Sequence, residues 1–244
     1  MNNLIYTANS GGENLTIIDG STINIAMPGP PTTYTVTLNP TVKPDSLAYN
    51  PVLNEVYGAA SEQSMSFQFA SSATNQNVAA YSYVFGGSDP VAVATNPASG
   101  MAFNLLTSGT YDPYLTIEDA AAPSGYYGDV CMGSTPITMD VNPETNSVFV
   151  VCANAVNVVQ GPSGFTPGNE TVITPTNTAT PVLDAVAVNS ITNLAYVADT
   201  ANNCIYVINV ADENPVTNTI SVGVDPVSIA INIASNKVLS LIHI

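Results

Sequence analysis

Short runs of alternating apolar and polar residues, separated by asparagine-rich turns, make up most of this 244-residue chain. The clearest example is residues 225–238, where a strand of small and branched residues leads to Asn232 and a second strand follows the turn. Alternation with a period of two is typical of β-strands, and Asn, Pro and Ser clusters mark turns. Because no stretch has helical periodicity, the pattern predicts an all-β protein.

The segment that ends in a turn asparagine is repeated along the chain. The asparagines lie at positions 50, 96, 142, 189 and 232, so they are 46, 46, 47 and 43 residues apart. A fixed period in this range indicates a propeller or a solenoid, and each period has runs for four short strands, as one propeller blade does. The sequence therefore predicts a β-propeller of four-stranded antiparallel blades, with about five blade units visible.

The period divides the chain into consecutive units within one propeller domain. The units are residues 1–42, 43–88, 89–133, 134–178, 179–224 and 225–238. The first unit has runs for three strands, at residues 4–8, 15–19 and 34–38, but none for an innermost strand.

Residue size alternates along the strand before each turn asparagine. Positions four and two residues before it are small in most repeats, as in Ala92 and Ala94, and the position between them, Val93, is larger. Blades converge toward the axis of a propeller, so small residues fit the crowded face of an innermost strand. Asp140 is a carboxylate in this column of small residues. The predicted innermost strands are residues 46–50, 92–96, 138–142, 185–189 and 228–232.

An aromatic residue stands near the start of the strand after most of the turns. The runs Tyr6-Thr-Ala-Asn9 and Tyr196-Val-Ala-Asp199 are the clearest copies, and Asn14-Leu-Thr-Ile-Ile-Asp19 follows the first. With the pattern N-P-x-T-N before the aromatic, they resemble the YVTN family of β-propeller repeats over essentially the whole chain. The resemblance implies a propeller fold. It also implies an exported or surface-attached protein, as in the bacterial and archaeal members, but no particular activity.

The charge of the chain restricts its partners. With 18 acidic and 2 basic residues, the formal net charge is −16. Nucleic acids and anionic membranes are bound through Lys and Arg, so we exclude both as partners. No apolar run is long enough for a transmembrane helix, so we expect no membrane insertion. We expect a monomer.

The location of the protein is inferred from its first residues and its surface. The repeat begins by Asn3, which leaves no room for a signal peptide. Together with the YVTN resemblance, the Thr- and Asn-rich, Lys-poor composition favours an extracellular, cell-surface or periplasmic protein whose leader is missing from this sequence. The alternative is a cytoplasmic protein.

The three cysteines have two interpretations. Cys131 ends a predicted outer strand, and Cys152 lies on the second strand of the next unit, so propeller topology brings both toward the same face. One interpretation is a Cys131–Cys152 disulfide. The other is buried free thiols that behave as small apolar side chains. We expect Cys204 to be a core residue.

Three aspartates form a candidate metal site. Asp89 and Asp225 lie at the start of predicted innermost strands, and Asp140 lies within one. Carboxylates together with carbonyl oxygens bind Ca²⁺. Asp89, Asp140 and Asp225 are therefore a candidate Ca²⁺ site at the channel mouth, and a solvated acidic rim is the alternative. We expect no other cofactor.

The sequence favours binding over catalysis. General-base, metal and cofactor chemistry usually depends on His, Arg, Lys or clustered Cys, and the one histidine is His243. We therefore expect a binding or scaffold module for a protein, peptide or carbohydrate. The tyrosines of residues 110–114 and 125–128 are candidate stacking groups, and ordinary packing within loops is the alternative for them. The alternative is a fragment of a propeller enzyme, similar to a dehydrogenase, a streptogramin lyase or a Ca²⁺-dependent lactonase, whose active residues lie in missing blades.

The last six residues depart from the repeat. An aromatic residue is due seven positions after Asn232, where the chain has Leu239. Residues 239–244 (Leu-Ser-Leu-Ile-His-Ile) resemble the translation of an adapter used in sequencing libraries. We interpret the chain as a fragment of a larger propeller with a non-native tail. The alternative is an apolar terminal strand in a ring closed by the two ends of the chain.

Overall fold

The computed structural model is all-β, which confirms the fold class that the alternation predicts. Its described helices are three-residue 3-10 turns, and none of them is long enough to span a membrane. The structure describes residues 4–23, 29–39, 42–71, 77–79, 81–83, 87–109, 113–119, 126–161, 170–212 and 214–242.

The described strands are short and follow one another closely. In chain order they are β1 (Leu4–Asn9), β2 (Asn14–Asp19), β3 (Thr33–Asn39), β4 (Ser46–Asn50), β5 (Glu55–Ala60), β6 (Met65–Ala70), β7 (Asn77–Ala79), β8 (Tyr81–Tyr83), β9 (Gly87–Asn96), β10 (Met101–Gly109), β11 (Tyr114–Asp119), β12 (Tyr126–Cys131), β13 (Pro136–Asn142), β14 (Ser147–Cys152), β15 (Val156–Gln160), β16 (Glu170–Ile173), β17 (Leu183–Asn189), β18 (Leu194–Asp199), β19 (Cys204–Ile208), β20 (Val216–Ser221), β21 (Ser228–Asn232) and β22 (Lys237–Leu241).

These strands form small sheets, which we number along the chain. Most neighbours within a sheet are consecutive in sequence and antiparallel. The sheets are sheet 1 (β1-β2-β3-β7), sheet 2 (β4-β5-β6-β8), sheet 3 (β9-β10-β11-β12), sheet 4 (β13-β14-β15-β16), sheet 5 (β17-β18-β19-β20) and sheet 6 (β21-β22).

Sheet 1 departs from the sequence interpretation in its fourth strand. The pattern predicts three strands in the first unit and assigns residues 43–88 to the second. In the structure β7 lies within residues 43–88 but pairs in parallel with β3, so that Thr37 faces Asn77. A parallel neighbour requires a long crossover, and here β4–β6 lie within it. This pairing joins the first two units, and local alternation contains no signal for it.

The five strands predicted as innermost all begin their sheets. They lie in β4, β9, β13, β17 and β21, each at one edge of its sheet. Neighbouring first strands lie side by side along the chain, β4 beside β9, β9 beside β13, β13 beside β17 and β17 beside β21.

The asparagines that end the first strands fold the turns. The Oδ1 atom of Asn142 accepts the backbone N–H of Glu144 at 3.1 Å, and Asn146, at the end of the turn, has a left-handed backbone with φ of 53°. Asn hydrogen-bonds its own turn and tolerates this conformation better than other side chains do. The fourth residue after each first strand's asparagine occupies the equivalent place: Asn54, Gly100, Asn146, Asn193 and Asn236.

The same asparagines join neighbouring sheets. The side-chain amide of a turn asparagine donates to Oδ1 of the left-handed asparagine in the next sheet, and we call this series the asparagine ladder. Its bonds are Asn96 to Asn146 (2.7 Å), Asn142 to Asn193 (3.1 Å) and Asn189 to Asn236 (2.7 Å). The ladder aligns the turns of sheets 3 to 6 along one edge.

The apolar core lies between the sheets. On β14, Val148 and Val150 pack with Phe103 of sheet 3, whereas Phe149 and Val151 belong to the core shared with sheet 5. Alternate side chains of one strand thus fill two interfaces. Fully burying a side chain of this kind stabilises the fold by about 1.5–3 kcal/mol. This double burial is why β14 is apolar at nearly every position.

The last strand includes part of the sequence interpreted as a non-native tail. Leu239 and Leu241 lie on β22, opposite Ala230 and Ser228 of β21, and both leucines are exposed. His243 lies outside the described residues. The structure thus places three of the six tail residues in a strand, and the origin of the tail stays a prediction.

Candidate functional site

A cleft runs between the first strands of the sheets, and it is the candidate site. It contains two cavities, one of about 450 Å³ between β4, β9 and β13 and one of about 400 Å³ between β13, β17 and β21. Asp140, Val141 and Pro143 line both, so the two cavities adjoin at β13. Their size is in the range of small-molecule sites. We call this feature the first-strand cleft.

The cleft exists because the first strands carry small side chains. Ala48, Ala92 and Ala94 line its larger cavity, and Ala187 and Ala230 line the smaller one. These are members of the small column that the sequence shows before each turn asparagine. Adjacent strands can lie side by side at such residues without filling the space between them.

Asp140 is the one carboxylate among the residues that line the two cavities. Its Oδ2 accepts the backbone N–H of Val188 on β17 at 2.8 Å, and its Oδ1 accepts the N–H of Val141 at 2.8 Å. Burial raises the pKa of the Asp140 carboxyl, and these two N–H donors act in the opposite direction. The side chain therefore links sheets 4 and 5 and places negative charge beside the cleft.

The three aspartates of the candidate Ca²⁺ site, Asp89, Asp140 and Asp225, lie at different places relative to their strands, and the site stays a prediction. Among the described residues, no group of three or more His, Cys, Asp or Glu side chains is placed to hold a metal ion. Asp89 and Asp225 precede their turn asparagines by seven residues, whereas Asp140 precedes Asn142 by two. Five residues of extended strand span about 16 Å, but Ca²⁺ ligands lie about 2.3–2.6 Å from the ion. Asp140 lies near the end of β13, whereas Asp89 lies near the start of β9 and Asp225 precedes β21.

Asp89 and Asp225 have another feature in common. Both have a left-handed backbone, with φ of 61° and 55°, and Pro follows each. The backbone N–H of Asp225 donates to Oδ1 of Asn203 at 2.9 Å, which ties the start of sheet 6 to a turn of sheet 5. Asp tolerates this conformation better than most residues. Asp89 lies near the start of β9, beside an irregularity in its pairing with β10, and Asp225 lies in the bend that precedes β21.

The structure does not contain the disulfide that was one interpretation of the cysteines. Cys152 is a free, fully buried thiol in the core between sheets 3 and 4. Burial raises the pKa of the Cys152 thiol, and a hydrogen bond with Ser134 lowers it. Cys131 lies on β12 opposite Tyr114, and its side chain lies outside the described part of the chain. Cys204 is a buried core residue, as expected.

The candidate stacking tyrosines are only partly described. Tyr114 is 8% exposed on β11, so its ring is a core side chain and offers no stacking surface. The side chains of Tyr111, Tyr126 and Tyr127 lie outside the described residues.

Sequence reasoning missed a set of buried polar pairs inside the sheets. The Tyr206 hydroxyl donates to Oδ2 of the fully buried Asp199 at 2.8 Å, and the Asn202 amide donates to the same oxygen at 2.7 Å. Burial, followed by the bond to Asp199, raises the pKa of Tyr206. Asn104 similarly donates to Glu118 at 2.6 Å. A polar residue within an otherwise apolar strand is the signal that marks such pairs in the sequence.

Comparisons with known proteins show the fold alone. No family model matches the sequence, and no curated protein matches it. A functionally unknown protein from Desulfotomaculum acetoxidans DSM 771 has a similar structure, with a TM-score of 0.75 and 12% identity over 99% of this chain and 73% of that chain. Kuenenia stuttgartiensis hydrazine synthase is similar with a TM-score of 0.56 and 11% identity, over 99% and 92% of the two chains. Neither similarity bears on the resemblance to the YVTN family.

Proposed function

We propose that this protein is an exported or cell-surface β-propeller that acts as a binding or scaffold module without catalysis. The propeller proposal is supported by the regular period, the first strands that lie side by side, and the asparagine ladder between consecutive sheets. Sheets that stack face to face with their first strands adjacent match the arrangement of propeller blades. The YVTN-like motifs support export.

The composition of the first-strand cleft carries the functional part of the proposal. One carboxylate, Asp140, lines its two cavities among apolar side chains, a few Ser and Thr hydroxyls and Tyr49, and both carboxylate oxygens accept backbone N–H groups. Acid–base catalysis uses groups that exchange protons with a substrate, and pairs of such groups are usual. A carboxylate held by the backbone of two strands is better suited to structure and to recognition.

The charge of the protein indicates what the cleft would bind. A net charge of −16 repels anionic ligands, and Asp140 adds local negative charge. Neutral carbohydrates and neutral or basic peptides fit these conditions. We therefore propose a ligand of one of these classes, bound at the first-strand cleft.

A binding screen with a cleft variant tests this proposal. Purified protein is screened against neutral glycans and basic peptides, and each hit is measured by calorimetry. Ala230→Leu narrows the cleft at an exposed position and should weaken binding at least tenfold, whereas Thr219→Leu, exposed on β20, is the matched control. Equal affinity of the two variants for every hit would contradict binding in the cleft. Protease shaving of intact source cells tests surface location separately.

A further inference from the structure

Among the described residues, the asparagine ladder has no bond between sheets 2 and 3. Asn50 ends β4 and is fully buried, and its Oδ1 accepts the backbone N–H groups of Val52 at 3.0 Å and Leu53 at 3.2 Å. These two bonds fix the orientation of the amide. In the described part of the chain, the Asn50 Nδ2 atom has no hydrogen-bond partner. Buried amide donors are almost always paired with protein or with ordered water.

Gly100 explains why this bond is missing. It occupies the position that Asn146, Asn193 and Asn236 have in the following sheets, four residues after the turn asparagine. Gly100 has the same left-handed backbone, with φ of 69°, but it has no side chain to accept a hydrogen bond. A Cβ atom added there would meet nothing within 4 Å. There is space beside Gly100 where the other sheets have an amide group.

We propose that Asn50 and Gly100 form a site for one small hydrogen-bond acceptor. In the unsubstituted protein this acceptor is a buried water molecule. The acceptor takes the place of the asparagine Oδ1 of the other sheets and receives the Asn50 Nδ2 hydrogen. Water fits because the Asn50 amide needs one acceptor and the missing side chain of Gly100 leaves space for it. The site completes the ladder between sheets 2 and 3.

Substitution of Gly100 tests the site. Gly100→Asn supplies the missing acceptor at a backbone conformation that Asn tolerates, so the melting temperature should rise by about 2–4 °C. Gly100→Ala is the matched control, because it adds a side chain at positive φ without an acceptor and should lower the melting temperature. A Gly100→Asn protein no more stable than Gly100→Ala would overturn the proposal.

A second background isolates the contribution of the Asn50 amide. In the Asn50→Ala background, the difference in melting temperature between the Gly100→Asn and Gly100→Ala variants should shrink by about 2–4 °C. If Asn50→Ala does not fold, Asn50→Ser serves as the background. An undiminished difference would show that the gain does not come from the ladder. A high-resolution crystal structure of the unsubstituted protein should show one ordered acceptor within about 2.7–3.2 Å of Asn50 Nδ2. An Nδ2 atom that faces no such density overturns the site.

Discussion

The Asp140 carboxylate accepts the backbone N–H of Val188 at 2.8 Å, and this bond connects the first strands of sheets 4 and 5. The two residues are 48 positions apart in the sequence. A backbone N–H that points outward from the edge strand of a sheet has no partner within that sheet, and here a side chain from the neighbouring strand satisfies it. Asp140 thus has a structural role that its place among small residues does not indicate.

Removal of the Asp140 side chain should destabilise the fold. Asp140→Ala leaves the N–H groups of Val188 and Val141 without their acceptor, and we expect a loss of about 1–3 kcal/mol in the free energy of unfolding. Urea unfolding followed by circular dichroism measures the change. Asp212→Ala, at an exposed turn, is the control and should change stability by less than about 0.5 kcal/mol. Equal effects of the two substitutions would contradict the role of Asp140.

The raised pKa of Asp140 predicts a pH dependence of stability. Burial raises this pKa above the ordinary value of 3.8, so the native state holds the proton more tightly than the unfolded chain does. The resulting contribution to the free energy of unfolding is fully present below the pKa that Asp140 has in the unfolded chain. It is lost as the pH rises through the pKa that Asp140 has in the native state. The stability of the unsubstituted protein relative to Asp140→Asn should therefore fall as the pH rises from about 3 to about 7. A difference that is flat or rises over this range would contradict the shift.

An interrupted ladder should weaken the contact between sheets. Asn193→Gly reproduces in sheet 5 the situation of Gly100 and replaces the Asn193 Oδ1 acceptor of the Asn142 amide by a water molecule, so we expect the free energy of unfolding to fall by about 0.5–1.5 kcal/mol. Ser64→Gly is the control, because Ser64 also has a left-handed backbone, with φ of 49°, but lies outside the ladder. Glycine is favoured at such a backbone, so the control should be neutral or slightly stabilising. Thermal unfolding of both variants distinguishes these outcomes.

The buried thiol of Cys152 should be unreactive in the native protein. It is 0% exposed and burial raises its pKa, and only the thiolate is nucleophilic. We expect iodoacetamide to alkylate Cys152 in urea but not under native conditions. Peptide mapping by mass spectrometry measures both. A Cys131–Cys152 bridged peptide in a digest made without reductant would contradict the free thiol.

Local pattern was sufficient for the strands and turns of the regular repeats. The predicted strand at residues 228–232 matches β21 (Ser228–Asn232), and the one at residues 46–50 matches β4 (Ser46–Asn50). Alternation and turn asparagines encode these elements because both act within a few residues. The cleft beside the first strands likewise follows from the small column, which is visible in the sequence.

The β class, the repeat period and the ends of the first strands can thus be predicted from local pattern. The folded arrangement sets which distant groups meet. It placed β7 beside β3, joined Asp140 to the backbone of Val188, and left the Asn50 amide without a hydrogen-bond partner in the described part of the chain. These relationships depend on how one sheet stacks on the next, and hydrogen bonds between residues nearly fifty positions apart leave no trace in local alternation.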